Sequence, residues 1–342
     1  MLHTTSSPTL HQLLDESLKF PPEYAGGFSN HLPMALTALH GIGAGNARMA
    51  DFMAVYLKRF TAPSLKIAPS IVPDWPRLLG RAEAFDALRS AFATALSVSG
   101  RDFVLRDALA LLITGVGASA FHGAIRVAYA IEANHLGELA AALAYWGASW
   151  TPLIPPEAVE PDLDDVADWL RAIDLRVECV ESAGRSRPAS IDARIHDATQ
   201  TAVYSLNAGR LRVAGRNTAV LLGELALAGA TRYAATHDFT ILHIATAARA
   251  VRVLLPWLPK QIGTLDPMWH AVAAASIAAD TPVDLSASKL TGKIADWDEI
   301  LAVARASYDE HVIKLVHAMV AQHAAAPDPA WRLAAATAIE KS

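Results

Sequence analysis

Cysteine is almost missing from this chain. Cys179 stands alone among 342 residues, which excludes an internal disulfide and any multi-cysteine zinc or iron–sulfur site. Charge is sparse as well. Only 18% of residues are charged and the formal net charge is −5. No cluster of Lys and Arg with interleaved aromatics occurs, so neither nucleic acid nor an anionic membrane surface is an expected partner. The longest apolar run, Ala108 to Phe121, falls short of the ~20 residues that span a bilayer. The segment Met1 to Pro8 lacks the basic stretch and apolar run of a secretory signal. These absences lead to the expectation of a soluble, cytoplasmic protein, and they leave its oligomeric state open.

Familiar catalytic signatures are also lacking. There is no G-x-x-x-x-G-K-[ST] phosphate loop and no G-x-S-x-G nucleophile elbow. Gly41-Ile-Gly43-Ala-Gly45 has the wrong spacing for a dinucleotide fingerprint. Gly115-Val-Gly117-Ala-Ser-Ala120 does fit G-x-G-x-x-A, with Glu138 near the offset of a ribose-binding acid. However, Asp107 to Ile113 lacks a strand's β-branched character and no succession of βαβ units follows. Close helix packing or a helix break is the expected use of these small residues.

What the chain has is helix-forming apolar sequence. Hydrophobic residues make up 53%, rich in alanine and leucine, and β-branched alternation is scarce. The pattern predicts an all-α, single-domain multi-helix bundle over 1–342, with its core at about 20–325. Helices are predicted near 9–19, 31–40, 46–59, 80–97, 103–113, 119–131, 135–148, 164–173, 191–205, 217–230, 239–255, 266–278, 297–323 and 329–340. Asp296-Trp-Asp-Glu299 reads as an N-cap followed by acids in the first turn. Proline-rich breaks at 62–76 and 151–163 read as surface loops, and 182–189 as a mobile one.

Thirteen histidines are present, several inside apolar helical stretches. A buried imidazole must find a hydrogen-bond partner or a metal, because an unpaired polar group in a core costs about 1–3 kcal/mol. Histidines on different helices can converge in a bundle core as metal ligands. The paired Glu-x-x-His motifs of carboxylate-bridged di-iron bundles are absent, so a site here would be histidine-rich. His31 lies in Phe28-Ser-Asn-His-Leu-Pro-Met34, and His40 is nine positions on, about half a turn out of phase. His122, Arg126 and Tyr129 share a helix face at i, i+4 and i+7. His237 and His243, six apart, point in different directions, and His243 is the one embedded in the apolar run. His311 and Lys314 share a face at i, i+3. Each of these has a bland alternative as a core histidine or solvated face.

Four segments together resemble the questin oxidase-like family. They are Phe28 to Met34; Phe121 to Arg126 with Glu138-Leu-Ala-Ala-Ala-Leu-Ala-Tyr-Trp146; His237 to Thr246; and Asp309-Glu-His-Val-Ile-Lys314. The resemblance implies an all-helical oxygenase. Fungal members open anthraquinone-type rings in polyketide secondary metabolism. Their chemistry is described either as NADPH-linked Baeyer–Villiger-type oxygenation or as non-haem iron dioxygenation, the iron held by four histidines and a carboxylated lysine. Carried onto this chain, that implies His31, His122, His243 and His311 as ligands and Lys314 as the modified lysine. His237 and His40 stand as alternatives. The expected cofactors are Fe(II) and O2, or NADPH in the second description, and the expected partner is an apolar aromatic small molecule. Arg126 or Tyr129 would hold a phenolate or quinone oxygen, with Phe121, Tyr145, Trp146 and Trp150 as an apolar wall. A helical ligand-binding protein without catalysis is the non-enzymatic alternative.

Overall fold

Alanine and leucine favour helix, and with so little charge most helical faces must be buried. The computed structural model describes residues 8–60, 74–180, 190–279 and 294–340. Over these residues the chain forms sixteen α-helices. The first eight are α1 Pro8–Ser17, α2 Leu32–Gly41, α3 Asn46–Tyr56, α4 Phe85–Ser99, α5 Arg101–Leu112, α6 His122–Ala133, α7 Leu136–Ser149 and α8 Val166–Val180. Then follow α9 Ile191–Ala198, α10 Ala202–Asn207, α11 Thr218–Thr236, α12 Phe239–Leu254, α13 Asp266–Ala278, α14 Trp297–Ala306, α15 Glu310–Ala325 and α16 Pro329–Ile339. The only strands among the described residues are a small antiparallel pair, β1 Glu23–Tyr24 and β2 Phe28–Ser29. The expected all-α class is therefore observed, with one continuous hydrophobic core.

Four helices make the inner frame. α2 packs on α6, α6 on α12, α12 on α15 and α15 back on α2, a closed circuit. Small residues allow the close approaches around it. A Cβ on Gly123 of α6 would lie 2.5 Å from Trp146 Cγ on α7, and one on Gly41 of α2 would lie 2.4 Å from His317 Nε2 on α15. Phe239–Trp257 is long and apolar enough to cross a membrane, but 72% of its apolar window is buried inside the fold, as befits a core helix.

The helices depart from the predicted spans at places that matter. The predicted 297–323 helix breaks at Ser307–Asp309 into α14 and α15, because the Asp309 side chain caps α15 by accepting the His311 N–H. That break brings Glu310, His311 and Lys314 into or beside a helix's first turn. The predicted 191–205 helix is likewise two, α9 and α10, the second capped by Thr201. Asp296 caps α14 as expected, accepting from Glu299 N, with acids in the first turn. The proposed mobile loop 182–189 and most of the 62–76 break lie outside the described residues. The helix predicted over 119–131 begins only at His122. Ser119, Ala120 and Phe121 adopt left-handed φ of 47°, 52° and 67°, a conformation costing roughly 1–2 kcal/mol for each non-glycine residue. Thus Gly115 to Ala120 is a helix break, with Gly115 packed against Trp150 and Glu138 paired with Arg126. It is no strand-to-helix phosphate turn.

Gly123→Ala tests the packing of this frame. Replacing a helical glycine by alanine ordinarily gains up to about 1 kcal/mol, less in a first turn, where Gly123 lies. Here the sign reverses, and urea denaturation should show a loss of about 1–3 kcal/mol from overpacking against Trp146. A stabilised variant would mean that α6 and α7 are not so closely packed.

Candidate metal centre

All four frame helices begin at one place, and each brings a histidine to it. His31 immediately precedes α2, whose first turn contains Pro33. Asn30 Oδ1 accepts the Leu32 N–H at 3.0 Å, and the His31 N–H donates to Tyr56 Oη at 2.8 Å, so the imidazole is not used for capping. His122 opens α6. His243 sits one turn into α12, which Asp238 caps by accepting from Thr240 N and Ile241 N. His311 stands in the first turn of α15, with Lys314 one turn along the same face.

The rings form a closed circuit in the order of the helices. Centroids are 4.6 Å apart for His31–His122, 4.8 Å for His122–His243, 6.0 Å for His243–His311 and 4.6 Å for His311–His31. Each Nδ1 faces an oxygen. His122 Nδ1 lies 2.5 Å from the Ser119 carbonyl and His243 Nδ1 is 2.7 Å from the Phe239 carbonyl. His311 Nδ1 is 3.3 Å from Asp309 Oδ1 and His31 Nδ1 is 3.6 Å from Glu310 Oε1. For His122, His243 and His311 these acceptors place the proton on Nδ1 and leave Nε2 as the lone-pair nitrogen, whereas His31 Nδ1 has no hydrogen-bond partner. The Nε2 atoms of His31 and His122 are 2.7 Å apart. Those of His243 and His311 are buried with no partner at all. Orphaned lone pairs in a core are the arrangement a metal ion would satisfy, so the residues present fit one.

Electrostatics reinforce the fit. Burial, with the neighbouring cationic groups acting second, holds His31 and His122 well below the ordinary imidazole pKa and His243 down to about 3. Burial likewise lowers His311. The ligand set is therefore neutral at physiological pH, the form that binds metal. Lys314 is fully buried, and burial pulls its pKa to about 8 against the raising pull of Glu310 and Asp309. No acceptor lies within bonding distance of its Nζ among the described residues. At 2% exposed, Lys314 does not lie on a solvated face, and the Glu310 carboxylate beside it is taken by Arg59 in a two-pronged contact of 2.6 and 3.0 Å.

Glu310 is the site residue that spacing did not single out. Its carboxylate, His31 and His311 offer ligand atoms all within 4.8 Å of one another. Arg59 engages both Glu310 oxygens, and Oε1 stands 3.6 Å from His31 Nδ1. Phe239 was also missed. Its ring lies 4.5 Å from that of His311 and 4.9 Å from that of His243, yet it is 43% exposed, so the centre meets solvent there.

Other expected residues lie elsewhere or carry partners of their own. His237 ends α11 in a left-handed conformation and its ring neighbours Tyr233; His40 sits at the far end of α2, partly exposed. Neither joins the circuit. Arg126 gives Nε and Nη2 to buried Glu138 at 2.6 and 3.0 Å, which leaves Nη1 buried and unpartnered. The Tyr129 hydroxyl donates to the Lys314 carbonyl at 3.3 Å and lies equally far from His317 Nδ1, so it steadies α15. Of the expected aromatic wall, Trp146 packs on Gly123 and Trp150 on Gly115, Phe121 is buried, and Tyr145 Oη bonds Ser29 Oγ at 2.6 Å.

Two outcomes follow for the metal-free and metal-loaded protein. His243→Ala should abolish metal binding in equilibrium titration, while His237→Ala retains it; the reverse result would reassign the α12 ligand. Stability of the metal-free protein should also be lost on acidification. The folded pKa of His243 is depressed from 6.5 to about 3, so its contribution is present above pH 6.5 and disappears as pH falls toward 3. Each such histidine adds a slope of about 1.4 kcal/mol per pH unit. Denaturation at pH 7, 6 and 5 should therefore show a steep decline that is shallower in His243→Ala, and a pH-independent stability would contradict the neutral cluster.

A family model described as questin oxidase-like matches residues 28–319, a span that contains every residue of the histidine circuit and Lys314. No match is found among curated proteins. With most of its length matched, the chain belongs to the questin oxidase-like family.

Proposed function

We propose that this protein is a non-haem iron oxygenase that uses O2 to cleave or hydroxylate a flat, polycyclic aromatic substrate of anthraquinone or polyketide type. The observation carrying this reading is the closed circuit of four buried imidazoles, three of which turn Nδ1 to an oxygen and Nε2 away from it. His31, His122, His243 and His311 would hold the ion. Imidazole suits several transition metals, and an anionic oxygen donor beside it favours a redox-active iron. When bound, ferrous iron supplies the site at which O2 meets an electron-rich ring.

Lys314 provides the anionic donor through its own chemistry. A protonated ammonium has no lone pair and would repel a dication. With a pKa of about 8, about a tenth of the side chain is neutral at pH 7. The neutral amine adds to CO2, an N–H proton leaves to solvent, and the carbamate replaces one positive charge by one negative charge. Arg126 Nη1, buried without a partner, is the donor for a phenolate or quinone oxygen. Phe239 offers an aromatic edge at the solvent side. This reading places the protein in secondary metabolism in a reducing cytoplasm, with a small apolar molecule as its partner rather than nucleic acid or membrane.

Protein expressed with iron and purified anaerobically should contain close to one iron per chain by elemental analysis. Zinc alone, with no activity recovered on iron exchange, would count against the proposal. NADPH consumption by metal-free protein would point instead to Baeyer–Villiger-type chemistry, and inert metal-free protein that binds apolar aromatics to a non-catalytic role. For Lys314, Lys314→Ala and Lys314→Arg should both lose iron and oxygen uptake, with a short carboxylate restoring part of each to the alanine variant. A fully active arginine variant would defeat the carbamate.

A further inference from the structure

The left-handed turn before α6 is out of keeping with its composition. Ser119, Ala120 and Phe121 all have positive φ, although none is glycine or asparagine, the residues that tolerate it. Ala120 and Phe121 are buried, and the turn lies next in sequence to His122. In a right-handed continuation of α6, the Ser119 carbonyl would accept the Gly123 N–H by the i to i−4 rule. In the observed conformation it accepts from His122 Nδ1 instead. The other three circuit histidines need no such device. His243 takes the Phe239 carbonyl four residues back on its own helix, and His31 and His311 face carboxylates.

We propose that the Ser119–Phe121 turn is a positioning element that withdraws the Ser119 carbonyl from the helix ladder and aims it at His122. It thereby fixes the Nδ1–H tautomer and points Nε2 into the circuit. The proposal rests on the metal-centre reading for its purpose, but the tautomer itself belongs to the metal-free protein. Ala120 is the residue to vary. Glycine accepts the left-handed conformation without strain, whereas valine, branched at Cβ, strongly resists it.

The experiment compares Ala120→Gly, Ala120→Val and Ala124→Val with wild type in the full chain. Ala124 is buried one turn into regular α6, so its valine variant controls for overpacking. Long-range 15N–1H spectra of the metal-free proteins report the His122 tautomer, and anaerobic Fe2+ titration reports affinity. Wild type and Ala120→Gly should show the Nδ1–H tautomer alone and equal affinity, with the glycine variant melting at a higher temperature. Ala120→Val should show mixed tautomers and about 10-fold weaker Fe2+ binding, the scale of losing an outer partner of a ligand. Ala124→Val should lower the melting temperature yet keep the tautomer.

A folded Ala120→Val with an unchanged tautomer would overturn the proposal, as would tautomer mixing in Ala120→Gly or an equal effect in Ala124→Val. Should Ala120→Val not fold, the glycine variant alone decides. If wild type binds no divalent metal, the metal reading fails while the tautomer measurements still judge the turn.

Discussion

Everything in this structure answers to the meeting of four helix N-termini around one small buried space. Each helix start carries unpaired N–H groups and a partial positive charge of roughly half a unit. Four of them, with four imidazoles and a lysine, would make an untenable concentration of positive potential if the histidines were also charged. The fold resolves this in two ways. Burial keeps the imidazoles neutral, and acids stand at the rim, with Asp238 and Asp309 as caps and Glu310 against Arg59. A cation entering this space gains from the lone pairs and loses to the helix dipoles. An additional anionic ligand inside would offset that loss, and the carbamate proposed for Lys314 would be one.

The same constraint explains the material around the centre. Unpaired Nε2 atoms cost free energy in a dry interior, about 1–3 kcal/mol each, and the left-handed turn adds its own strain. The surroundings are dense enough to hold these features in place. α6 and α7 close on each other through Gly123 and Trp146, and α2 closes on α15 through Gly41 and His317. The Arg126–Glu138 pair stitches α6 to α7. The left-handed turn and the two orphaned Nε2 atoms thus lie together at the circuit.

Much of this was legible in the sequence, and the exceptions have physical causes. His311 and Lys314 announce a shared face by their spacing, and His243 is separated from His237 by the apolar run around it. Helix content followed from alanine and leucine. What could not be read was tertiary. Glu310 looks like a surface acid until Arg59, far away in sequence, is seen to hold it. Arg126 shares a face with His122, but its pairing with Glu138 depends on how α7 folds back. The Ser-Ala-Phe turn gave no sign, because none of its residues prefers a left-handed backbone and only the packed state imposes it. The Ser307–Asp309 break did leave a signal, a capping aspartate, which the continuous apolar periodicity on either side concealed.

The circuit draws its members from positions 31, 122, 243 and 311. Contacts between such distant segments are expensive in chain entropy and form late, since long loops must close before any of them is rewarded. A nascent chain that has reached α12 holds three imidazoles, but without α15 it lacks His311, Lys314 and Glu310. Assembly of the centre is thus coupled to completion of the frame, and a partly made chain lacks the full set of donors that would hold a metal.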